Sequence, residues 1–330
     1  MDDTVIIDVR FVTKHFNGSR VLDGISFSVA KGEVFGFLGP NGAGKTTTLR
    51  ILLGLMRPDS GEALVLGNSL DTADEVRSHV GVLFENNGLV ERFTARENLL
   101  FYAELYNIEN PGGRVDELLG FTGLGNRGDD LVGTFSTGMK RKLGLARAIL
   151  HDPEILFLDE PSSGLDPEGQ RMVHDLILDL SGKRSMTIFL NSHNLEEVSR
   201  VCSKVAILHR GVIRAYDTVD HLRTGPDGTE MEITLHDAAE ATKAIRVLSG
   251  MEGAGTVRQV DDRHVTVFLH GDSGFPVLRE LVAREVVVEE IKRRKRSLEE
   301  IYLDTVRQAE GDSAESAKER APGILGRVKS

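Results

Sequence analysis

The apolar positions of this chain change period repeatedly along its length. Val5 to Val12 and Val21 to Val29 read as strands, and Asn17-Gly18-Ser19-Arg20 between them is a hairpin-type turn. Glu33 to Leu38 is a short apolar run of buried-strand type, and Thr46 to Gly54 has helical periodicity ending in glycine. Arg57-Pro58-Asp59-Ser60-Gly61 is a turn, with strands at Glu62 to Gly67 and Val80 to Phe84. Thr94 followed by Glu97 is a capping box, and Leu99, Leu100, Ala103 and Tyr106 lie near one face of the helix it starts. Residues 92–150 read as mostly helical, with glycine-rich breaks at 111–113 and 120–128 and a loop at 131–139. A helix at Lys140 to Leu150 stops at His151-Asp152-Pro153.

Downstream, Ile155 to Glu160 is a buried strand ending in two acids. Met172 to Leu180 is a helix, Met186 to Leu190 a strand ending at Asn191-Ser192-His193, and Leu195 to Cys202 a helix. Val205 to Leu208 and Gly211 to Ala215 pair as a hairpin. This alternation predicts an α/β core with a mainly parallel sheet and antiparallel hairpins at its edges. Beyond Gly225-Pro226-Asp227-Gly228 the order becomes β-α-β-β-α-β, the ferredoxin-like split pattern, followed by a helix at Ser297 to Val306. The expected domains are 1–225, with a helical part at 92–150, and a small α+β domain at 229–308. A polar, loose tail is expected at 309–330.

Composition narrows the class. The 330 residues are 40% hydrophobic, enough for a sizeable core, and carry a net charge of −11, which argues against a nucleic-acid binder. The single cysteine, Cys202, excludes an internal disulfide framework and suits a reducing cytosol. Set among apolar neighbours, it reads as a small buried hydrophobe. Met1-Asp2-Asp3-Thr4 is acidic with no apolar stretch behind it, so no secretory signal is expected. No run reaches the roughly 18 apolar residues of a membrane span, so any work at a membrane goes through a partner.

The candidate chemistry gathers around Gly39-Pro40-Asn41-Gly42-Ala43-Gly44-Lys45-Thr46-Thr47, a G-x-x-x-x-G-K-T phosphate loop between strand and helix. Its glycines let backbone N–H groups curl around phosphate oxygens, and the helix N-terminus adds positive partial charge. Lys45 would reach the β- and γ-phosphates of ATP, and the Thr46 hydroxyl would ligate Mg²⁺. Asp159 and Glu160 end an apolar strand: one acid can hold Mg²⁺ and the next can accept a proton from water. Alone they would be a solvated strand end; beside an intact phosphate loop they read as chemistry. His193 also ends a core strand, where ligands collect in open α/β sheets, and is either structural or a γ-phosphate partner. Phe16 is either packed core or a ring against adenine. The basic run Lys292 to Arg296 is either a solvated face or a contact for anionic lipid or an acidic partner.

In motif order, residues 5–225 resemble the nucleotide-binding subunit of ATP-binding cassette (ABC) transporters. The resemblance implies a P-loop NTPase core with an antiparallel edge β-subdomain and a helical subdomain. Glu85 stands where the family usually has a glutamine that senses Mg²⁺ and the permease. Phe135-Ser136-Thr137-Gly138-Met139 stands at the signature, usually Leu-Ser-Gly-Gly-Gln. Asp166 matches the loop that crosses the dimer interface, Glu160 the catalytic glutamate, His193 the switch histidine and Phe16 the adenine-stacking aromatic. Signatures of the Ser-Thr-Gly-Met type recur in exporters with a separate permease, and Ser297 to Leu303 resembles the tail of drug- and antibiotic-efflux ATPases.

What the resemblance implies is a head-to-tail homodimer. Ser136, Thr137 and Gly138 of one copy would face the ATP held by Lys45 of the other, powering an integral membrane permease from the inner face of the cell membrane. The alternative is a regulatory module of low turnover, because of Glu85 and Thr137.

Overall fold

The computed structural model describes residues 4–69, 76–224, 228–270 and 274–307; the expected tail at 309–330 lies outside them. The chain forms two compact units, one through Asp217 and one over Thr218–Asp304.

In the first unit, β1 (Val5–Phe16) and β2 (Ser19–Ala30) form an antiparallel hairpin. Asn17 and Gly18 turn it at φ 49° and 79°, the left-handed pair that a two-residue type I′ turn needs. With β4 (Ser60–Val65) and β5 (Asn68–Ser69) they make a sheet in the order β2-β1-β4-β5. The main sheet holds β3 (Val34–Leu38), β6 (Val80–Leu83), β7 (Ile155–Asp159), β8 (Thr187–Ser192), β9 (Lys204–His209) and β10 (Val212–Thr218). Its order is β10-β9-β3-β8-β7-β6, and the pairs from β9 to β6 are parallel. Every residue of β3, β7 and β8 is buried, so these strands show no two-residue alternation. Phe27 of β2 stacks on Phe35 of β3 at 5.4 Å; Phe37 and Phe189 pack on Phe27 in tilted contacts at 5.3 and 6.1 Å, and Phe157 packs on Phe189 at 5.4 Å.

Register fixes what lies at the carboxyl edge. Leu38 of β3 pairs with Ser192 of β8, and Asp159 of β7 pairs with Asn191. The phosphate loop, the two acids and His193 thus leave three adjacent strands at one level.

Helices follow: α1 (Lys45–Leu52), α2 (Ala95–Leu105), α3 (Pro111–Phe121), α4 (Thr137–Ala148), α5 (Pro167–Arg184) and α6 (Leu195–Val201). The Thr94–Glu97 capping box is present at α2. Two sequence expectations are corrected here. Gly112 and Gly113 do not break the helical region but open α3, because Asn110 caps it and Pro111 takes the first helical position. Residues 137–139 are not loop: the Ser136 hydroxyl accepts from Met139 N at 3.2 Å and starts α4 three residues earlier than the pattern suggested.

The second unit begins at Thr218, ahead of the boundary expected from Gly225-Pro226-Asp227-Gly228. The reason is α7 (Val219–Thr224): Arg296 N donates to Arg223 O at 3.0 Å, the Arg223 side chain donates from Nε to Arg296 O at 3.1 Å, and Lys295 pairs with Asp220. β11 (Thr229–Leu235), α8 (Ala238–Ser249), β12 (Ala254–Gln259), β13 (His264–Leu269), α9 (Phe275–Ala283) and β14 (Val288–Arg294) follow. Their antiparallel order, β12-β13-β11-β14, has the split β-α-β-β-α-β topology around its own core. The basic run pairs with acids of its own unit. Lys292 pairs with Glu232, Arg294 with Glu230 and Glu300, and Arg296 with Asp304.

Candidate functional site

The phosphate loop folds tightly because three positions exclude a side chain or favour glycine. A Cβ at Gly39 would lie 2.4 Å from Leu208 O, Gly42 has φ 80°, and Gly44 has φ 111° with Leu22 Cδ2 at 2.6 Å from a Cβ there. Thr46 is exposed in the first turn of α1, beside the buried Lys45. Lys45 Nζ donates to Gly39 O at 2.8 Å and approaches Glu160 Oε1 at 3.8 Å. Burial lowers its pKa, while the charges of Glu160 and Asp159 pull the other way.

Glu160 carries φ 52°, unusual for a residue with a side chain and worth about 1–3 kcal/mol of strain. Both its backbone groups are held: its N–H donates to Asn191 O at 2.9 Å, and Arg141 donates to its carbonyl at 3.1 Å. That conformation places the carboxylate between Lys45 and His193, whose Nδ1 lies 2.7 Å from Glu160 Oε2. Asp159 is buried, and Asn191 Nδ2 donates to its Oδ1 at 2.5 Å. Burial raises the Asp159 pKa; the Asn191 hydrogen bond opposes this, and the charges of Glu160 and Glu85 add to it. Glu85 itself is exposed beyond β6.

The residues expected at the signature gather elsewhere. Ser136, Thr137, Gly138, Lys142 and Asp166 line a cleft of about 530 Å³ that includes no residue of the phosphate loop. Asp166 heads α5, its carboxylate accepting from Gly169 N at 2.8 Å. Phe16 is 41% exposed, which removes the packed-core reading, and Lys14 Nζ lies 5.7 Å above its ring. Two more contacts hold that strand end. Asp59 accepts from Lys14 Nζ at 2.7 Å and from His15 N at 2.6 Å, and these bonds hold its pKa down to about 2.

Sequence reasoning missed Asp59, Asn191 and above all Arg141. The buried Arg141 guanidinium donates to Phe84 O, Glu85 O, Asn87 Oδ1 and Glu160 O, tying α4 to two strand ends. Its signal was available: Arg141 shares helical spacing with the buried Leu145 and Ala148, so a charge sits on an apolar stripe.

The donor set fits a hard divalent cation. Thr46 offers a hydroxyl, Asp159 has one oxygen without a hydrogen bond among the described residues, and the Glu85 charge reaches Asp159. Asn191 Oδ1, beside Asp159, is buried without a hydrogen-bond partner.

Comparison with known proteins gives the family of the chain. The ABC transporter family model matches residues 22–163. The bacitracin transport ATP-binding protein of Bacillus licheniformis is 42% identical over 221 residues, covering 67% of this chain and 72% of that one. The daunorubicin/doxorubicin resistance ATP-binding protein of Streptomyces peucetius is 34% identical over 321 residues, 96% of this chain and 97% of that one. Among solved structures, cbiO1 of Clostridium perfringens, part of an ABC transporter complex, superposes with TM-score 0.62 at 25% identity, covering 66% of this chain and 90% of that one. The chain belongs to the ABC transporter family, as one of its ATP-binding, ATP-hydrolysing subunits.

Proposed function

We propose that two copies of this chain close head to tail on ATP and drive a separately encoded permease that exports drug-like or antibiotic compounds. The observation that carries the catalytic part is the placing of Glu160, between Lys45 at 3.8 Å and His193 at 2.7 Å. Lys45 and the loop N–H groups bind the phosphates, and Phe16 stacks on the adenine. Thr46, Asp159 and Glu85 would hold Mg²⁺, which when bound supplies positive charge to the phosphate oxygens. Glu160 takes a proton from the attacking water as the water oxygen bonds the γ-phosphorus and the β–γ bridging bond breaks. His193 orients that carboxylate.

The second copy is needed because the signature cleft and the phosphate loop are separate in one chain. The Ser136 hydroxyl, the N–H groups that begin α4 and the Asp166 loop supply the other wall of the partner's site. Phe101 and Leu105 of α2 and Tyr106, which caps its end, are exposed, and the Tyr102 hydroxyl ties α2 to Gly88 O at 2.8 Å. This apolar face beside the Glu85 loop supports permease docking there, at the inner face of the membrane. Among the described residues no helix is long and apolar enough to cross a bilayer. The export reading leans on the relatives named for bacitracin transport and daunorubicin/doxorubicin resistance.

Glu160→Gln tests the assignment. The variant should bind ATP, accumulate as an ATP-bound dimer in size-exclusion chromatography and lose at least about 100-fold in kcat. Normal turnover would refute the role of Glu160.

A further inference from the structure

Beneath His193 lies a buried pair of titratable groups that no step above uses. Glu197 of α6 is 1% exposed and His174 of α5 is 5% exposed. Glu197 Oε2 accepts from Ser192 Oγ at 2.6 Å, and Ser192 Oγ accepts from Asn194 N at 3.0 Å. Asn194 in turn caps α6 through Glu196 N and Glu197 N. The Glu197 carboxylate thereby anchors Ser192, whose hydroxyl in turn holds Asn194 N, so both flanks of His193 belong to one hydrogen-bonded network. His193 is the turn's exposed tip, and it reaches Glu160.

The other oxygen faces α5. Glu197 Oε1 lies 3.4 Å from His174 Nε2, within ion-pair reach, yet neither atom completes a hydrogen bond. A buried carboxylate with one oxygen so poorly satisfied is a poor stabilising device, since apolar replacement of such pairs is often neutral or favourable. Its position offers another use. The helix that carries His174 starts at Asp166, in the signature cleft. An unbroken chain of packed groups therefore runs from that cleft to Glu160: Asp166, α5, His174, Glu197, Ser192, His193.

We propose that His174 and Glu197 are positioning residues, through which α5 sets the His193 turn against Glu160 according to what the Asp166 end meets. The inference rests on the reading of His193 given above. In it, contact by the second copy at Asp166 reaches His193 of the same chain through the protein interior, without passing through the nucleotide.

The test uses the purified full chain, measuring kcat and KM for ATP, equilibrium binding of a fluorescent ATP analogue, and thermal melting. The double variant His174→Leu/Glu197→Met replaces the pair with apolar groups of similar length, so it should still fold and melt close to the wild type. Its kcat should fall about tenfold while nucleotide affinity stays within about twofold. Glu197→Gln keeps an acceptor for Ser192 and should restore most of the rate. Added to His193→Ala, the double variant should cause no further loss, because both act through one side chain. Wild-type kcat in the double variant, or a full tenfold loss on top of His193→Ala, overturns the proposal. Wild-type kcat in His193→Ala alone overturns the functional reading beneath it.

Discussion

The two faces that the proposed dimer would bring to ATP are built in opposite ways. The phosphate-loop face is made at the ends of buried parallel strands. Its charged groups already contact one another: Lys45 on Glu160, Glu160 on His193, Asn191 on Asp159. The signature face is the exposed start of a helix, held by one hydroxyl cap and open over a cleft of about 530 Å³. Chemistry needs the first kind, since a proton acceptor must sit within a fraction of an ångström of its place. Recognition by a docking partner needs only donors at a helix end. In the proposed dimer, backbone N–H groups and Ser136 carry that contact, so Thr137 and Met139 need not match the usual signature residues.

The sharpest way to break this division is to disable each face in a different copy. Lys45→Ala and Ser136→Arg should each lower ATPase activity by about 100-fold. Mixed one to one, half the dimers regain one intact site of two, so roughly a quarter of wild-type activity should return. No recovery in the mixture would mean that both faces act within one chain.

A smaller effect is expected at the adenine end. Asp59→Asn loosens the strand end that presents Phe16, and should raise KM for ATP about threefold with kcat nearly unchanged. Its pH dependence has a defined sign. The folded pKa, about 2, lies below the ordinary 3.8, so the Asp59 contribution is complete above that value and fades as pH falls toward 2. The melting gap between Asp59→Asn and wild type should therefore be full at pH 5 and close on acidification. The smallest change is at Glu85, whose charge raises the Asp159 pKa. Glu85→Gln should bring that carboxyl nearer its usual range and raise turnover by about twofold; a slower variant would show that the carboxylate is needed.

The phosphate loop and the paired acids were legible because the chemistry proposed for them dictates their neighbours in sequence. Gly39, Gly44 and Lys45 lie in one loop, and Asp159 and Glu160 are consecutive. What escaped was the support between distant segments. Arg141 joins loops separated from it by 57 and 19 residues, and Asp59 reaches back 45 residues to Lys14. No local period records such contacts. The boundary before α7 was missed for the same reason, because the polar Asp220 and Arg223 find their partners only at Lys295 and Arg296. The glycines at 112 and 113 misled in another way: composition suggested a break, but Asn110 and Pro111 supply a helix start strong enough to absorb them.

The paired basic run has a further consequence. β14 is an outer strand of its sheet, with one row of backbone groups left over for any passing strand to take up. Lys292 and Arg294 load that margin with charges already bound to Glu232, Glu230 and Glu300. A newcomer aligned there would bring its own side chains beside these charges. Charge along an outer strand is the means by which natural sheets discourage a further strand from adding, and here it hems the small sheet at its β14 margin.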